Sequence, residues 1–263
     1  MCRHLAYLGP PRTLAELLLE PEHGLLAQSY APADMRGGGT INADGFGAGW
    51  YPAGAPSAGD PHGRPEPVRV RSATPLWADT SFAALAGATS SGAVLAAVRS
   101  ATVGMPVVET AAAPFTDGPW LFSHNGVVRG WPGSLADAAS VLPVEDLITL
   151  DAPTDSAVLW VLVRARLRAG DDPAAVLAET CERVERDAPG SRLNLLLTDG
   201  TTVWATAWRH ALAVRTCDGA TTVASEPTHA FPDWTQVPDR HLVVARPGRH
   251  DLHPLPGATP RSG

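Results

Sequence analysis

Short apolar runs, bounded by glycine, proline and polar residues, make up much of the first half of the chain and predict β-strands. These runs cover residues 5–8, 45–51, 68–71, 93–98 and 120–128. The last run has Asn125-Gly126 in its middle, a dipeptide typical of the tight turn of a β-hairpin. We therefore expect two short strands that meet at Asn125-Gly126.

Helical spacing predicts two short helices in the same half, at 13–19, with Thr13 as N-cap, and at 81–88. A long loop is expected from the end of the first helix to Thr40. The middle of the chain then changes to helices, because apolar residues recur every three to four positions over 134–141, 156–169 and 173–187.

Strands are predicted again from Arg192 onward, as a meander over 193–198, 202–207, 211–215, 221–224 and 241–245. Asp199-Gly200 and Asp218-Gly219 are typical turn sequences between them. Strands, then helices, then further strands fit a layered α+β fold with antiparallel sheets better than alternating βαβ units.

One domain is expected over residues 2–257, since 44% of the 263 residues are hydrophobic and no long linker divides them. Glycine and proline are frequent over 54–67 and beyond Pro247, which predicts a mobile surface loop and a disordered tail at 258–263. The most apolar run, 157–163, is far shorter than the ~20 residues of a membrane helix, so we expect no membrane insertion.

Charge and cysteine content exclude several other classes. The net charge is −7, all 20 basic residues are arginine, and none of them forms a basic run, so we expect no binding to nucleic acid. The three cysteines and nine histidines show no disulfide or metal-ligand spacing. We expect a cytoplasmic protein with no metal and no cofactor, and assembly into a homo-oligomer stays open.

Cys2 is a candidate nucleophile if the initiator Met1 is removed. Cys2 would then carry a thiol and a free α-amino group, whose pKa of about 7.7–8.0 lets the amine take the thiol proton near neutral pH. For a lone cysteine, the more common role is that of a small buried hydrophobic residue.

Three further groups carry candidate chemistry beside an ordinary structural role. The Asn125 amide and the Gly126 N–H could form a two-donor oxyanion hole at the end of the predicted hairpin, or simply a turn. Arg99 follows a strand, where its planar guanidinium suits a carboxylate and Thr102 could add a hydrogen bond; a surface ion pair is the alternative. Asp155 could hold a substrate ammonium, or belong to a helix N-cap.

These groups, in this order, resemble the class II glutamine amidotransferases of the N-terminal nucleophile hydrolase superfamily. The resemblance extends from Cys2 to about Ser225-Glu226-Pro227, and its motifs are Cys2, Asp44-Gly45-Phe46-Gly47, Arg99-Ser-Ala-Thr102, Ser123-His-Asn-Gly126 and Thr154-Asp155. It implies an αββα sandwich, in which two antiparallel sheets pack face to face between helical layers.

The resemblance also implies a role for each candidate residue. Cys2 would be the nucleophile, and Asn125 with Gly126 would form the oxyanion hole. Arg99 and Thr102 would bind the α-carboxylate of a γ-glutamyl group, and Asp155 would bind its α-ammonium. The chain departs from synthase-linked members of the family, which usually have glycine where this chain has Arg3 and histidine where it has Val103.

A small-molecule γ-glutamyl substrate is therefore expected, cleaved through a thioester intermediate. No synthase domain follows in these 263 residues, and the opening nine residues are similar to those of the family's ergothioneine-pathway hydrolases, which remove glutamate from γ-glutamyl-hercynylcysteine sulfoxide. Trp77 is a candidate contact for the trimethylammonium group of that substrate. The alternatives are a glutaminase subunit that feeds a separate synthase, a hydrolase of glutathione-like thiols, and a non-catalytic binding protein on the same fold.

Overall fold

The computed structural model describes residues 2–34, 41–54 and 63–257. Within these ranges the chain forms strands β1 (Arg3–Thr13), β2 (Phe46–Trp50), β3 (Val68–Ser72), β4 (Ser90–Val98), β5 (Phe115–Asp117), β6 (Trp120–Val127), β7 (Arg192–Thr198), β8 (Val203–Ala207), β9 (Ala213–Cys217), β10 (Ala220–Ala224), β11 (Trp234–Gln236), β12 (His241–Arg246) and β13 (Arg249–Pro254). The helices are α1 (Leu14–Leu18), α2 (Leu25–Tyr30), α3 (Thr80–Ala88), α4 (Ala136–Ala139), α5 (Val144–Ile148), α6 (Asp155–Arg168) and α7 (Pro173–Asp187).

The strands form two antiparallel sheets that pack face to face. The first sheet has the order β11-β9-β10-β1-β4-β2-β3, and the second has the order β13-β12-β8-β7-β6-β5. Alternate residues of each strand point to opposite faces. Thus Ala6 and Leu8 of β1 enter the core between the sheets, where they meet Leu121 of β6.

The opposite face of each sheet is covered by helices. Leu5 and Tyr7 belong to a core with α1, α2 and α3, whereas Phe122 and Leu195 belong to a core with α6 and α7. The order of layers is therefore helix, sheet, sheet, helix, which confirms the predicted αββα sandwich. No helix in the described part of the chain combines the length and apolar character that crossing a bilayer requires.

Local signals locate several elements correctly. Thr13 caps α1 in a reciprocal capping box with Glu16, and Pro173 occupies the first turn of α7. Asp218 and Gly219 join β9 to β10 with φ of 52° and 75°. Two positive φ values match the tight hairpin turn for which Asp-Gly is favoured.

The predicted hairpin at Asn125-Gly126 is wrong. Strand β6 continues through both residues, which lie opposite Asn194 and Leu193 of β7. Glycine is needed here for close approach rather than for a turn, because a Cβ at Gly126 would lie 1.8 Å from the carbonyl oxygen of Arg192.

The predicted meander after Arg192 is also only partly correct. Strands β7 and β8 pair in the second sheet, but β9 and β10 belong to the first sheet, and β12 returns to pair with β8. The predicted loop before Thr40 contains helix α2. Residues 35–40, residues 55–62 of the predicted mobile loop and the predicted tail at 258–263 lie outside the described residues.

Candidate active site

Three of the predicted site residues, Cys2, Arg99 and Asn125, lie at one edge of the sandwich. Because β1 and β4 are antiparallel, with Arg3 opposite Val98, the start of β1 lies beside the end of β4. Cys2 and Arg99 are the residues directly beyond these two ends. Asn125 lies near the end of β6 in the second sheet and reaches the first sheet through Ser225, which follows β10.

Cys2 is partly buried and borders a small polar cavity of about 20 Å³. The cavity is lined by Arg99, Phe115, Ser123, His124 and Ser156, among others. The Cys2 Sγ lies 3.8 Å from the carbonyl oxygen of Ser100. A cavity of this size holds about one water molecule, so a larger ligand at Cys2 must extend beyond it.

Arg99 is held at the site by the segment before β2. The Asp44 N–H donates to the Arg99 carbonyl at 2.9 Å, and the Asp44 carboxylate accepts the Ala101 N–H at 2.7 Å. The Arg99 guanidinium donates to the Pro106 carbonyl at 2.9 Å. Asp44 therefore fixes the turn that follows β4, a role that its position in a glycine-rich motif did not reveal.

Thr102 is exposed and does not line the cavity beside Cys2. Its carbonyl oxygen accepts the Met105 N–H at 2.9 Å within the loop that follows Arg99. The structure thus brings Arg99 to the cavity, but Thr102, Asn125, Gly126 and Asp155 are not among the residues that line it.

Asn125 is fully buried, with 0% of its surface exposed. Its Nδ2 donates to the Ser225 hydroxyl at 2.9 Å, and the same hydroxyl accepts the His4 N–H at 3.0 Å. The Asn125 Oδ1 has no hydrogen-bond partner among the described residues. One Asn125 N–H is used in this contact, and the amide has a second N–H to offer.

Asp155 begins helix α6 and is 4% exposed. Its carboxylate accepts the Val128 N–H at 2.9 Å, the Ser156 N–H at 2.7 Å and the Ser156 hydroxyl at 3.3 Å, which ties the end of β6 to the helix. A carboxylate has about four lone-pair positions. Asp155 can therefore accept a further hydrogen bond while it keeps these three.

Two histidines support this edge of the second sheet. His124 lies between the Ser156 hydroxyl and the Arg192 carbonyl, each 3.0 Å from one ring nitrogen. His4 lies 3.1 Å from the Ser123 hydroxyl. Burial, reinforced by the nearby His124, lowers the pKa of His4 well below its usual value, so His4 is neutral at physiological pH.

A buried ion pair behind Cys2 escaped prediction. Arg3 is 1% exposed, donates to the Glu226 carboxylate, and also donates to the Cys2 carbonyl at 2.9 Å. Glu226 further contacts the His23 ring at 2.6 Å and accepts the Ala33 N–H at 2.8 Å. The sequence contains one sign of this ion pair, which is Arg3 at the start of an apolar strand. An arginine buried there requires a carboxylate partner.

Together these contacts lower the pKa of the Glu226 carboxyl group. Burial alone would raise the pKa of Glu226. The hydrogen bonds from His23 and Ala33, together with the charge of Arg3, outweigh burial and lower the pKa to about 2. Glu226 is therefore ionised throughout the physiological range and holds Arg3 against the Cys2 carbonyl.

Within the described residues no group of three or more histidine, cysteine, aspartate or glutamate side chains is arranged to hold a metal ion. The groups at this edge are the Cys2 thiol, a buried amide and hydroxyls, the guanidinium groups of Arg3 and Arg99, and the carboxylates of Asp44, Asp155 and Glu226.

Comparisons with known proteins identify the family and the fold. Residues 25–218 match the family of class-II glutamine amidotransferases. Gamma-glutamyl-hercynylcysteine sulfoxide hydrolase of Mycolicibacterium smegmatis is 43% identical over 256 residues, which cover 97% of this chain and all of that protein. The protein of the same name from Mycobacterium tuberculosis is 43% identical over 92% of each chain. In fold, a class-II glutamine aminotransferase domain protein from Silicibacter pomeroyi superposes with a TM-score of 0.67 at 24% identity, over 97% of this chain and 99% of that one.

Proposed function

This chain belongs to the class II glutamine amidotransferases, and on that basis we propose that it hydrolyses the γ-glutamyl amide bond of γ-glutamyl-hercynylcysteine sulfoxide. The products are glutamate and hercynylcysteine sulfoxide. The observation that carries the proposal is the 43% identity to hydrolases named for this substrate, over nearly the whole chain. The meeting of Cys2, Arg99 and Asn125 at one sheet edge supports it.

Cys2 acts as the nucleophile once Met1 has been removed. Its α-amino group takes the thiol proton, and the thiolate attacks the γ-carbonyl carbon of the substrate. The negative charge that develops on the carbonyl oxygen is stabilised by the free N–H of the Asn125 amide and by the Gly126 N–H. Ser225 orients this amide, because it holds the other Asn125 N–H at 2.9 Å.

The tetrahedral intermediate then collapses as the C–N bond breaks. The α-ammonium of Cys2 gives its proton to the leaving amine, and a γ-glutamyl thioester remains on Cys2. Water, deprotonated by the same α-amino group, attacks the thioester and releases glutamate. The Arg3 contact with the Cys2 carbonyl at 2.9 Å holds the main chain of the nucleophile in place through both steps.

Arg99 binds the α-carboxylate of the γ-glutamyl group and Asp155 binds its α-ammonium. Arg99 borders the cavity beside Cys2, and the Asp155 carboxylate keeps an unused lone pair. Thr102 joins Arg99 only if the exposed loop after β4 closes over the substrate. The cavity of about 20 Å³ is smaller than a γ-glutamyl group, so the bound substrate extends beyond it.

The state of the cysteines bears on the cellular location of the protein. All three cysteines, Cys2, Cys181 and Cys217, are free thiols, which supports a cytoplasmic protein. We also infer that residues 2–257 act as one catalytic domain.

The test is glutamate release by the processed protein, with γ-glutamyl-hercynylcysteine sulfoxide, glutamine and glutathione as parallel substrates. We expect kcat/KM to be highest for the sulfoxide. A preference for glutamine that increases when a synthase is added would instead indicate a glutaminase subunit, and a preference for glutathione would indicate a thiol-directed hydrolase. Retention of Met1, together with no turnover of any of the three, would indicate a binding protein.

A further inference from the structure

A second and much larger cavity opens at the same edge of the first sheet. Its volume is about 670 Å³, within the range of small-molecule sites. We call it the edge cleft, and its walls include His23, Asp34, Ala211, Glu226, His229 and Gln236.

The sheet order places the edge cleft across Cys2 from Arg99. Strands β10, β9 and β11 lie on one side of β1, and β4 with β2 lies on the other. Glu226 follows β10, and Gln236 ends β11, so the cleft is on the β10 side. Arg99 follows β4 on the opposite side. A substrate whose γ-glutamyl end contacts Arg99 therefore directs its leaving group from Cys2 toward the cleft.

Hydrogen bonds connect the cleft directly to the reacting groups. Ser225 is part of the cleft wall and accepts the Asn125 N–H at 2.9 Å. Glu226 is also part of the wall, and Arg3 links it to the Cys2 carbonyl. The cleft wall therefore contacts Asn125 directly, through Ser225, and is separated from Cys2 by one side chain, that of Arg3.

The described wall residues of the cleft include no arginine, and His23 and His229 are among them. The Glu226 carboxylate is already paired with Arg3 and contacts the His23 ring, so the buried Arg3 charge is compensated beside the cleft. Burial, followed by the charge of Arg215, lowers the pKa of His229, which keeps that ring neutral at physiological pH. A neutral ring and the absence of arginine among the described wall residues avoid repulsion of a quaternary ammonium ion.

We propose that the edge cleft binds the leaving half of the substrate, an amine that carries a trimethylammonium group. This proposal rests on the proposed function and adds the residues that select the leaving group. The cleft replaces Trp77 as the expected contact, because Trp77 borders neither the cleft nor the cavity beside Cys2. The Trp77 ring instead lies edge-on to the Tyr30 ring, with the two ring centroids 6.2 Å apart.

The test fills the cleft without touching the catalytic residues. Ala230 is an exposed residue of the cleft wall, so Ala230→Trp places a large side chain in the cleft, and Gln236→Trp does so from β11. Ala84→Trp, on an exposed position of α3, is the matched control. We expect both cleft variants to raise KM for γ-glutamyl-hercynylcysteine sulfoxide by about tenfold or more, because steric exclusion removes leaving-group contacts.

The γ-glutamyl side is measured separately, by the rate at which the diazoketone 6-diazo-5-oxo-L-norleucine inactivates the enzyme. This reagent has no amine leaving group, so its rate should stay within about twofold of wild type in all three variants. An unchanged KM in both cleft variants, or an equal loss of diazoketone inactivation, would overturn the cleft proposal. Failure of the wild-type enzyme to hydrolyse the sulfoxide would instead overturn the proposed function itself.

Discussion

Glu226→Gln tests the buried ion pair that anchors Cys2, the proposed nucleophile. The substitution preserves the size of the side chain but removes the charge that Arg3 and His23 share. The Glu226 residue is only 3% exposed, so solvent screens this charge weakly. Lowering its pKa from 4.5 to about 2 corresponds to about 3 kcal/mol of stability at neutral pH, at 1.36 kcal/mol for each tenfold change.

The pH dependence of this contribution has a definite sign. A carboxyl group whose pKa is lower in the folded protein stabilises the fold above its unfolded pKa. That stabilisation is lost as pH falls from about 4.5 toward about 2. The difference between wild type and Glu226→Gln should therefore be full at pH 7 and should shrink progressively below pH 4.5.

The measurement is urea unfolding followed by circular dichroism, at pH 7 and at several values between 5 and 3. We expect Glu226→Gln to lower the free energy of unfolding by about 3 kcal/mol at pH 7, in line with the usual cost of breaking a buried pair. Glu179→Gln, which breaks an exposed pair with Arg166, is the control and should change little. A loss below about 1 kcal/mol, or one that does not vary with pH, would refute this reasoning.

Three further outcomes follow from the site. Asn125→Ala should fold normally but lower kcat by about 10²–10³, the usual effect of losing one oxyanion donor, as checked by kinetics together with circular dichroism. Gly126→Ala should lower the melting temperature strongly, because its Cβ would meet the Arg192 carbonyl at 1.8 Å, whereas Gly133→Ala has no atom within 4 Å and should not. Cys181 is fully buried, and burial raises the pKa of its thiol to about 12, so mass spectrometry after iodoacetamide treatment at pH 8 should find it unlabelled in the folded protein.

Elements fixed by neighbouring residues could be predicted from the sequence. The Thr13 cap and the Asp218-Gly219 turn depend on contacts within a few positions, and both form as expected. The αββα layering followed from the family resemblance, whereas the succession of strand and helix patterns predicted only a layered α+β fold with antiparallel sheets. The distribution of strands between the two sheets did not follow from either, because the choice of partners for β9 and β10 depends on packing across the whole sandwich.

The misread dipeptide Asn125-Gly126 shows where local reasoning fails. The turn preference of Asn-Gly describes an isolated segment, whereas here the strand continues because β7 pairs with it. The reason for glycine is the approach of Arg192, far away in sequence. Likewise, Arg3 at the start of an apolar strand indicates a buried charge, but no neighbouring residue in the sequence identifies Glu226 as its partner.

The central claim is that Cys2 performs the chemistry from a free N-terminus. The most direct test measures glutamate release from γ-glutamyl-hercynylcysteine sulfoxide in two matched variants. Cys2→Ala removes the proposed nucleophile, and Cys217→Ala removes a partly exposed thiol outside the site. Intact mass, measured on the same samples, reports whether Met1 is present. We predict that Met1 is absent from the active protein, that Cys217→Ala keeps wild-type turnover, and that Cys2→Ala has none. Turnover by Cys2→Ala, or full activity in protein that retains Met1, would contradict the account.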